Sequence, residues 1–232
     1  MDENFFISTK SAVNFCESDL FIGGIGEIWN VLSSFVMVGF GLYGLYGVNY
    51  KFVRDNMLSE STKTRLNILY TLLTLVGLGS VFFHAHLSPF AHWIDIIFIS
   101  MILVYSQFIL SYTNTNIFLN KLKYMALLLV HLATSLYIPQ IHIFLLFGSG
   151  FWVKKLIEYK IYVETNFVQS TNSNHIINTY WWIKKYFFIT LMLWIIDYFG
   201  CVFITPYHVH WIFHILIGLV SYKIIDLVRY LE

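Results

Sequence analysis

Three histidines are the residues of this chain best suited to carry chemistry. His210 and His214 are four residues apart, so a helix would present both imidazoles on one face. His84 stands near the end of a separate apolar stretch. Three imidazoles with an open fourth position are typical of a catalytic zinc site. Whether they form one depends on the elements that bring them together.

Two further polar residues accompany His84. Ser80 lies four residues before it, and Asp95 lies eleven residues after it. An ionisable side chain at the centre of a membrane helix costs about 2.5–3.5 kcal/mol on insertion scales, so it needs a specific reason to be there. Ser80 and Asp95 therefore join the three histidines as candidate site residues.

Each candidate also has an ordinary structural explanation. A histidine pair spaced by four residues in an aromatic helix commonly packs at an interface. Asp95, together with His92, could cap the start of a helix. Ser80 could satisfy a backbone carbonyl or permit close helix packing.

The elements that position these side chains are expected to be membrane helices. Hydrophobic residues make up 58% of the 232-residue chain and charged residues 12%, with a mean hydropathy of +0.67. Soluble domains contain about 25% charged residues. The formal net charge is +1, from 14 Lys and Arg against 13 Asp and Glu, which leaves no basic excess for nucleic acid. We expect an integral membrane protein without a nucleic-acid partner.

Seven apolar stretches are long enough to cross a bilayer, which takes about 20 residues. The fifth is the least regular, because Gly148 and Gly150 interrupt it and Pro139 separates it from the fourth. The expected fold is all-α, a seven-transmembrane helix bundle forming one domain over residues 1–232. The polar segment 163–179 is expected to be a mobile cytoplasmic loop. The predicted spans are 28–49, 65–83, 93–112, 121–138, 140–158, 180–203 and 209–230.

The positive charges give the expected orientation of these spans. With seven spans, thirteen of the 14 Lys and Arg residues lie on one side and only Lys10 on the other. The positive-inside rule then predicts a cytoplasmic C-terminus and an outer or lumenal N-terminus. The second span would end, and the third and seventh would begin, on the outer side. The sequence therefore predicts that His84, Asp95, His210 and His214 share one membrane depth, as a zinc site requires.

Four blocks in order along the chain carry a more specific pattern. They read Glu-x-Trp-Asn-x-x-Ser at 27–33, Gly-Ser-x-x-Phe-His at 79–84 followed by Asp95, Trp-x-x-Asp at 194–197, and His-x-x-x-His-Ile-Leu-x-Gly-x-x-Ser-Tyr at 210–222. This combination resembles the alkaline ceramidases, which belong to the CREST superfamily of seven-helix membrane hydrolases and hydrolase-like receptors.

The resemblance implies an activity and a set of roles. It implies a zinc-dependent amide hydrolase that cleaves ceramide or a related lipid amide to a sphingoid base and a fatty acid. Asp95 would act as acid and base and Ser80 as the oxyanion partner. The zinc ligands would be His84, His210 and His214.

The resemblance also implies a structural calcium site near the N-terminus. Asn14 and Asp19 stand where the family has Asp and Asn, so the oxygen ligands and the charge count survive. The alternative is a solvated acidic segment. The calcium ligands would be Asn14, Phe15, Glu17, Asp19 and Glu27.

Two residues near the site depart from the family pattern. Ile96 replaces a Glu and His86 replaces a Thr, which leaves substrate range less defined than the chemistry. Cys16 and Cys201 both fall on the outer side of the predicted topology, so we expect a disulfide between them.

The remaining histidines have structural explanations. His86, His92 and His208 are expected at the membrane boundary. His131 and His142 flank the turn at Pro139 and could bond each other or the backbone, and His175 falls in the predicted loop.

Other classes of protein stay open from the sequence. A zinc-containing receptor or another lipid hydrolase of the same superfamily would share the pattern. A bis-histidine haem protein would not need Asp95 or a third histidine. The interpretation as a transporter is supported by the span count alone. Membrane lipids are the expected surroundings, in the endoplasmic reticulum, Golgi or plasma membrane.

Overall fold

The structure, a computed structural model, describes residues 25–51, 58–111, 117–164, 173–204 and 209–231. Within these ranges the chain forms seven α-helices, and a short π-helix, Gly47–Lys51, continues the first of them. The prediction of an all-α, seven-helix fold is confirmed. The helices are α1 Ile28–Tyr46, α2 Glu60–His86, α3 Pro89–Leu110, α4 Ile117–Tyr137, α5 Pro139–Val163, α6 Ser173–Ile204 and α7 His210–Leu231.

Four of the described helices are long and apolar enough to cross a membrane by length and composition. They are α1 with its π-helical continuation to Tyr50, together with α2, α3 and α7. A bilayer core of about 30 Å is spanned by about 20 helical residues, and each of these helices reaches that length. These are also the helices that carry the candidate histidines, Ser80 and Asp95.

Helix α6 begins earlier than its predicted span. Its first turns, from Ser173, lie inside the polar segment 163–179, so the prediction of a loop is wrong for residues 173–179. Packing explains the difference: Ile176 is fully buried, and the His175 ring lies 5.0 Å from the Tyr230 ring of α7. These tertiary contacts outweigh the polar character of the segment.

Helix α5 runs without a break through Gly148 and Gly150. A Cβ atom added at either glycine would meet no atom of the described structure within 4 Å. The two glycines therefore neither end the helix nor serve a close contact with the described residues.

The packing centre consists of α1, α2 and α7, which contact one another. Helix α3 packs on α2, α6 packs on α7, and α4 and α5 pack on α3. Glycines bring the central backbones close together: a Cβ atom at Gly41 of α1 would lie 2.7 Å from the Thr74 backbone nitrogen of α2. Small residues permit such contacts between membrane helices.

A tight connection joins α2 to α3. Leu87 has a φ of 55° and donates its N–H to the Phe83 carbonyl at 2.7 Å, which ends α2. Ser88 then caps α3 by accepting from the Ala91 N–H at 3.2 Å, and Pro89 follows at the first position of the helix. The alternative of a cap at His92 or Asp95 is therefore wrong.

A second buried polar cluster ties α3, α4 and α5 together. His131 Nδ1 lies 3.4 Å from His142 Nε2, as expected for this pair, and His131 Nε2 lies 2.9 Å from Ser149 Oγ. Ser100 of α3 lies 3.3 Å from the same His142 nitrogen. These contacts give both His131 nitrogens and His142 Nε2 a polar neighbour within the apolar helix core.

Candidate metal centre

His84, His210 and His214 meet at the junction of α2 and α7. One ring nitrogen from each lies within 4.8 Å of those of the other two. All three side chains are buried, with exposed fractions of 1%, 2% and 3%. The convergence expected from topology is therefore present, and a single ion could contact all three residues.

Each of the three imidazoles has a close polar neighbour at Nδ1. His84 Nδ1 lies 2.5 Å from Glu27 Oε2, and His210 Nδ1 lies 3.1 Å from Asp197 Oδ2. His214 Nδ1 lies 2.7 Å from Ser34 Oγ. A partner on Nδ1 fixes the ring orientation and assigns metal binding to Nε2. The same arrangement at three rings is typical of ligands built for one ion.

The chain just before α1 brings Glu27 to His84. Gly26 N–H donates to the Ala85 carbonyl at 3.1 Å, and Glu27 N–H donates to the His84 carbonyl at 3.0 Å. These bonds satisfy carbonyls at the end of α2 that have no partner within the helix. A Cβ atom at Gly26 would lie 2.6 Å from Leu87 Cδ1, so a larger residue here would displace the buried Leu87 side chain.

Charge balance at the centre favours a cation. Glu27 and Asp197 are both fully buried. A buried carboxylate is costly unless opposite charge or hydrogen bonds compensate for it. A divalent ion held by three neutral imidazoles would balance two carboxylates, and three histidines backed by carboxylates fit zinc. The residues therefore can hold a metal ion such as zinc.

Ser80 lies within the hydrogen-bond network of this centre. Its side chain is buried, and its Oγ lies 3.0 Å from Ser34 Oγ, the same oxygen that contacts His214. The Ser80 hydroxyl is thus linked to the candidate metal ligand His214 through Ser34.

Asp95 lies where α3 packs closely on α2. A Cβ atom at Gly79 would lie 3.1 Å from Asp95 Cα, so α3 approaches α2 one residue before Ser80. Asp95 is buried, and its Oδ1 has no hydrogen-bond partner among the residues that the structure describes. A buried carboxylate oxygen of this kind can accept a proton or a polar ligand.

Several expected site residues lie outside the described part of the chain. They are four of the calcium candidates, Asn14, Phe15, Glu17 and Asp19, as well as His208 and the Cys16–Cys201 pair, of which only the backbone of Cys201 is described. The fifth calcium candidate, Glu27, contacts His84 through Oε2 and accepts from Asn30 Nδ2 at 3.0 Å. The described residues give no support for calcium.

The structure shows three contacts of the candidate ligands that the sequence did not predict. Ser34 contacts His214, Asp197 contacts His210, and Glu27 contacts His84 rather than serving only the N-terminal segment. The sequence could have indicated Asp197 as a candidate site residue, because it is an ionisable residue inside an apolar helix, just as Asp95 is. It gave no such indication for Ser34, since serines are common on membrane helices.

The fold and the site together define a seven-helix protein with membrane-spanning helices and a buried three-histidine centre able to hold a metal. The chain belongs to the ceramidase family, because the family model described as Ceramidase matches residues 8–232. It is also 33% identical over 93 residues to a protein of Dictyostelium discoideum named putative alkaline ceramidase dcd3B. That alignment covers 36% of this chain and 33% of the relative, so it spans about a third of the relative's length.

Proposed function

We propose that this protein is a zinc-dependent amide hydrolase that cleaves ceramide-type lipids within the membrane to a sphingoid base and a fatty acid. The observation that carries the proposal is the buried cluster of His84, His210 and His214, each with Nδ1 held by a protein partner. Membership of the ceramidase family and the name of the matched relative support the substrate class.

The reaction needs a nucleophile, an electrophile and a proton donor, because resonance makes an amide unreactive and its amine a poor leaving group. A bound zinc ion supplies Lewis acidity, which activates water as a nucleophile at neutral pH and polarises a carbonyl. The three histidines would hold that ion through Nε2. Glu27 and Asp197 would keep two of the rings in their binding orientation.

Asp95 is the proposed acid and base. It would accept a proton from the attacking water and return it to the departing nitrogen. Its burial and the unsatisfied Oδ1 support this role, since a carboxylate committed to a structural contact could not exchange protons readily. The contact of α3 with Gly79 would hold it close to Ser80.

Ser80 is the proposed donor to the tetrahedral oxyanion. Removing one such donor costs roughly 10²–10³ in rate in other hydrolases. The serine lies one helical turn before His84, on the same face of α2, so its hydroxyl and the candidate ligand point in a similar direction.

A structural calcium ion remains a prediction from the resemblance, with Asn14, Phe15, Glu17, Asp19 and Glu27 as ligands. Among these, Glu27 lies in the described part of the chain, where its Oε2 contacts His84 and accepts from Asn30. Calcium would tie the N-terminal segment to α1 and stabilise the fold rather than take part in the reaction.

The test combines metal content with sphingoid-base release from a panel of ceramides. His84→Ala, His210→Ala and His214→Ala should lose zinc and activity together, whereas Asp95→Ala should keep zinc and lose activity. His86→Ala is the matched control, because His86 packs on Phe82 outside the cluster and should leave both unchanged. Full hydrolysis by Asp95→Ala would overturn its role. Zinc bound without release from any ceramide would favour a receptor of the same superfamily.

A further inference from the structure

One hydroxyl connects a candidate metal ligand to the candidate oxyanion donor. Ser34 Oγ lies 2.7 Å from His214 Nδ1, 3.0 Å from Ser80 Oγ and 2.6 Å from the Asn30 carbonyl oxygen. Ser34 belongs to α1 and is fully buried where that helix faces α2 and α7. Its side chain therefore has three polar neighbours, one on each of these helices.

The donors and acceptors can be assigned from chemistry. A carbonyl oxygen only accepts, so the single hydrogen of Ser34 is donated to Asn30. The Ser34 oxygen then has two lone pairs left. One accepts from His214 Nδ1–H at 2.7 Å, a shorter contact than the 3.2 Å from that nitrogen to the Asn30 carbonyl, and the other accepts from the Ser80 hydroxyl. All hydrogen-bonding capacity of Ser34 is used in this arrangement.

We propose that Ser34 is a positioning residue that acts on two parts of the site at once. By accepting from Nδ1–H, it holds the His214 ring with Nε2 towards His84 and His210. By accepting from Ser80, it holds that hydroxyl in place until rotation about one bond turns it to a developing oxyanion. This proposal rests on the proposed function for Ser80, whereas the part concerning His214 requires only that the centre binds metal.

The neighbouring Ser33 is a weaker candidate for the same role. Its Oγ donates to the Asn30 carbonyl at 3.1 Å and lies 3.3 Å from His214 Nδ1, a longer contact than that of Ser34. Ser80 contacts Ser34. The link between the two parts of the site therefore passes through Ser34, although Ser33 is the serine within the sequence block at 27–33.

The experiment uses the full chain in detergent or lipid, with zinc affinity measured by chelator competition and kcat and KM measured on a ceramide. Ser34→Ala should weaken zinc binding by about 10- to 100-fold, the usual effect of losing a hydrogen-bond partner of a metal-binding histidine. At saturating zinc it should lower kcat while KM changes little, because the Ser80 hydroxyl is no longer held. Ser34→Thr, which keeps a hydroxyl, should restore both.

Two further variants separate positioning from folding. Ser106→Ala removes a buried hydroxyl outside the site, which donates to the Ile102 carbonyl at 2.7 Å. This variant should behave as the wild type. Ser34→Val has the shape of Ser34→Thr without the hydroxyl, so comparing these two isolates the hydrogen bonds even if Ser34→Ala is unstable.

Each outcome bears on one part of the proposal. Equal zinc affinity for Ser34→Thr and Ser34→Val would overturn the role at His214, and equal kcat would overturn the role at Ser80. If zinc affinity falls in Ser34→Val but the wild type hydrolyses no ceramide, the positioning of His214 stands and the proposed hydrolase function fails.

Discussion

At the scale of residues, the candidate metal centre consists of three imidazoles whose Nδ1 already has a protein partner. Glu27 and Asp197 each place a carboxylate oxygen against an imidazole Nδ1, at 2.5 Å and 3.1 Å. Such partners raise the basicity of the ligand and restrict its rotation, which strengthens metal binding without contacting the metal. The two carboxylates also supply negative charge that a buried dication needs.

The contribution of this charge can be measured at Glu27. Glu27→Gln keeps a side chain of the same shape and a hydrogen-bonding oxygen but removes the charge, so zinc affinity should fall by roughly 10- to 100-fold. Chelator competition in calcium-free buffer measures the change. Glu158→Gln is the control, since Glu158 lies outside the centre and pairs with Lys154 at an N–O distance of 2.9 Å. Wild-type zinc affinity in Glu27→Gln would show that the carboxylate charge plays no part.

At the scale of elements, close helix contacts set the position of Asp95. A Cβ atom at Gly79 would lie 2.9 Å from Phe98 Cδ2 as well as 3.1 Å from Asp95 Cα. Real Cβ atoms essentially never come within 3.0 Å of another heavy atom, so the Phe98 ring would have to move, and the 3.1 Å distance to Asp95 Cα would strain the contact of α3 with α2. The short connection at Leu87 and Ser88 limits how α3 can move, because it anchors the start of that helix to the end of α2.

Gly79→Ala should therefore damage catalysis rather than metal binding. We expect kcat to fall roughly 10- to 100-fold, since displacements near 1 Å have such effects on catalytic groups. Zinc content should stay at the wild-type level, because the three histidines lie on α2 and α7 and not on α3. Gly148→Ala is the matched control, as its new methyl group meets no described atom within 4 Å. Unchanged kcat in Gly79→Ala would contradict the importance of this contact.

At the scale of the whole molecule, the distribution of charge predicts how the bundle lies in the membrane. Lysines lie in the second half of α5, where Lys154 and Lys155 pair with Glu158 at 2.9 Å and 3.2 Å. The candidate metal centre uses the end of α2 and the start of α7. The positive-inside rule then predicts that the metal centre faces the outer or lumenal side.

Engineered glycosylation acceptors test this orientation. The chain contains no Asn-x-Ser/Thr sequence of its own, so any added glycan reports on the inserted acceptor alone. An acceptor in an extension before residue 1 should be glycosylated in microsomes, and one placed after residue 232 should not. Modification at the C-terminal position, or at neither, would contradict the predicted orientation. Activity of each tagged protein confirms that the bundle has folded.

Local patterns in the sequence were enough to predict the seven helices and the histidine cluster. Apolar stretches of bilayer length indicate helices wherever they occur. Spacing places His210 and His214 on one face, and alternation of helix direction brings the end of α2 to the start of α7. Whether a segment is helical depends on that segment, and the direction in which a helix runs depends on how many spans precede it. Both can therefore be deduced without knowing the tertiary contacts.

The partners of the histidines could be decided only by the tertiary structure. Ser34 and Ser33 are adjacent in sequence, and which of them reaches His214 more closely depends on how α1 is rotated against α7. Glu27 meets His84 because the chain before α1 bonds to the end of α2, 57 residues away. Such contacts arise from side-chain packing between segments that are distant in sequence, and no local periodicity encodes them.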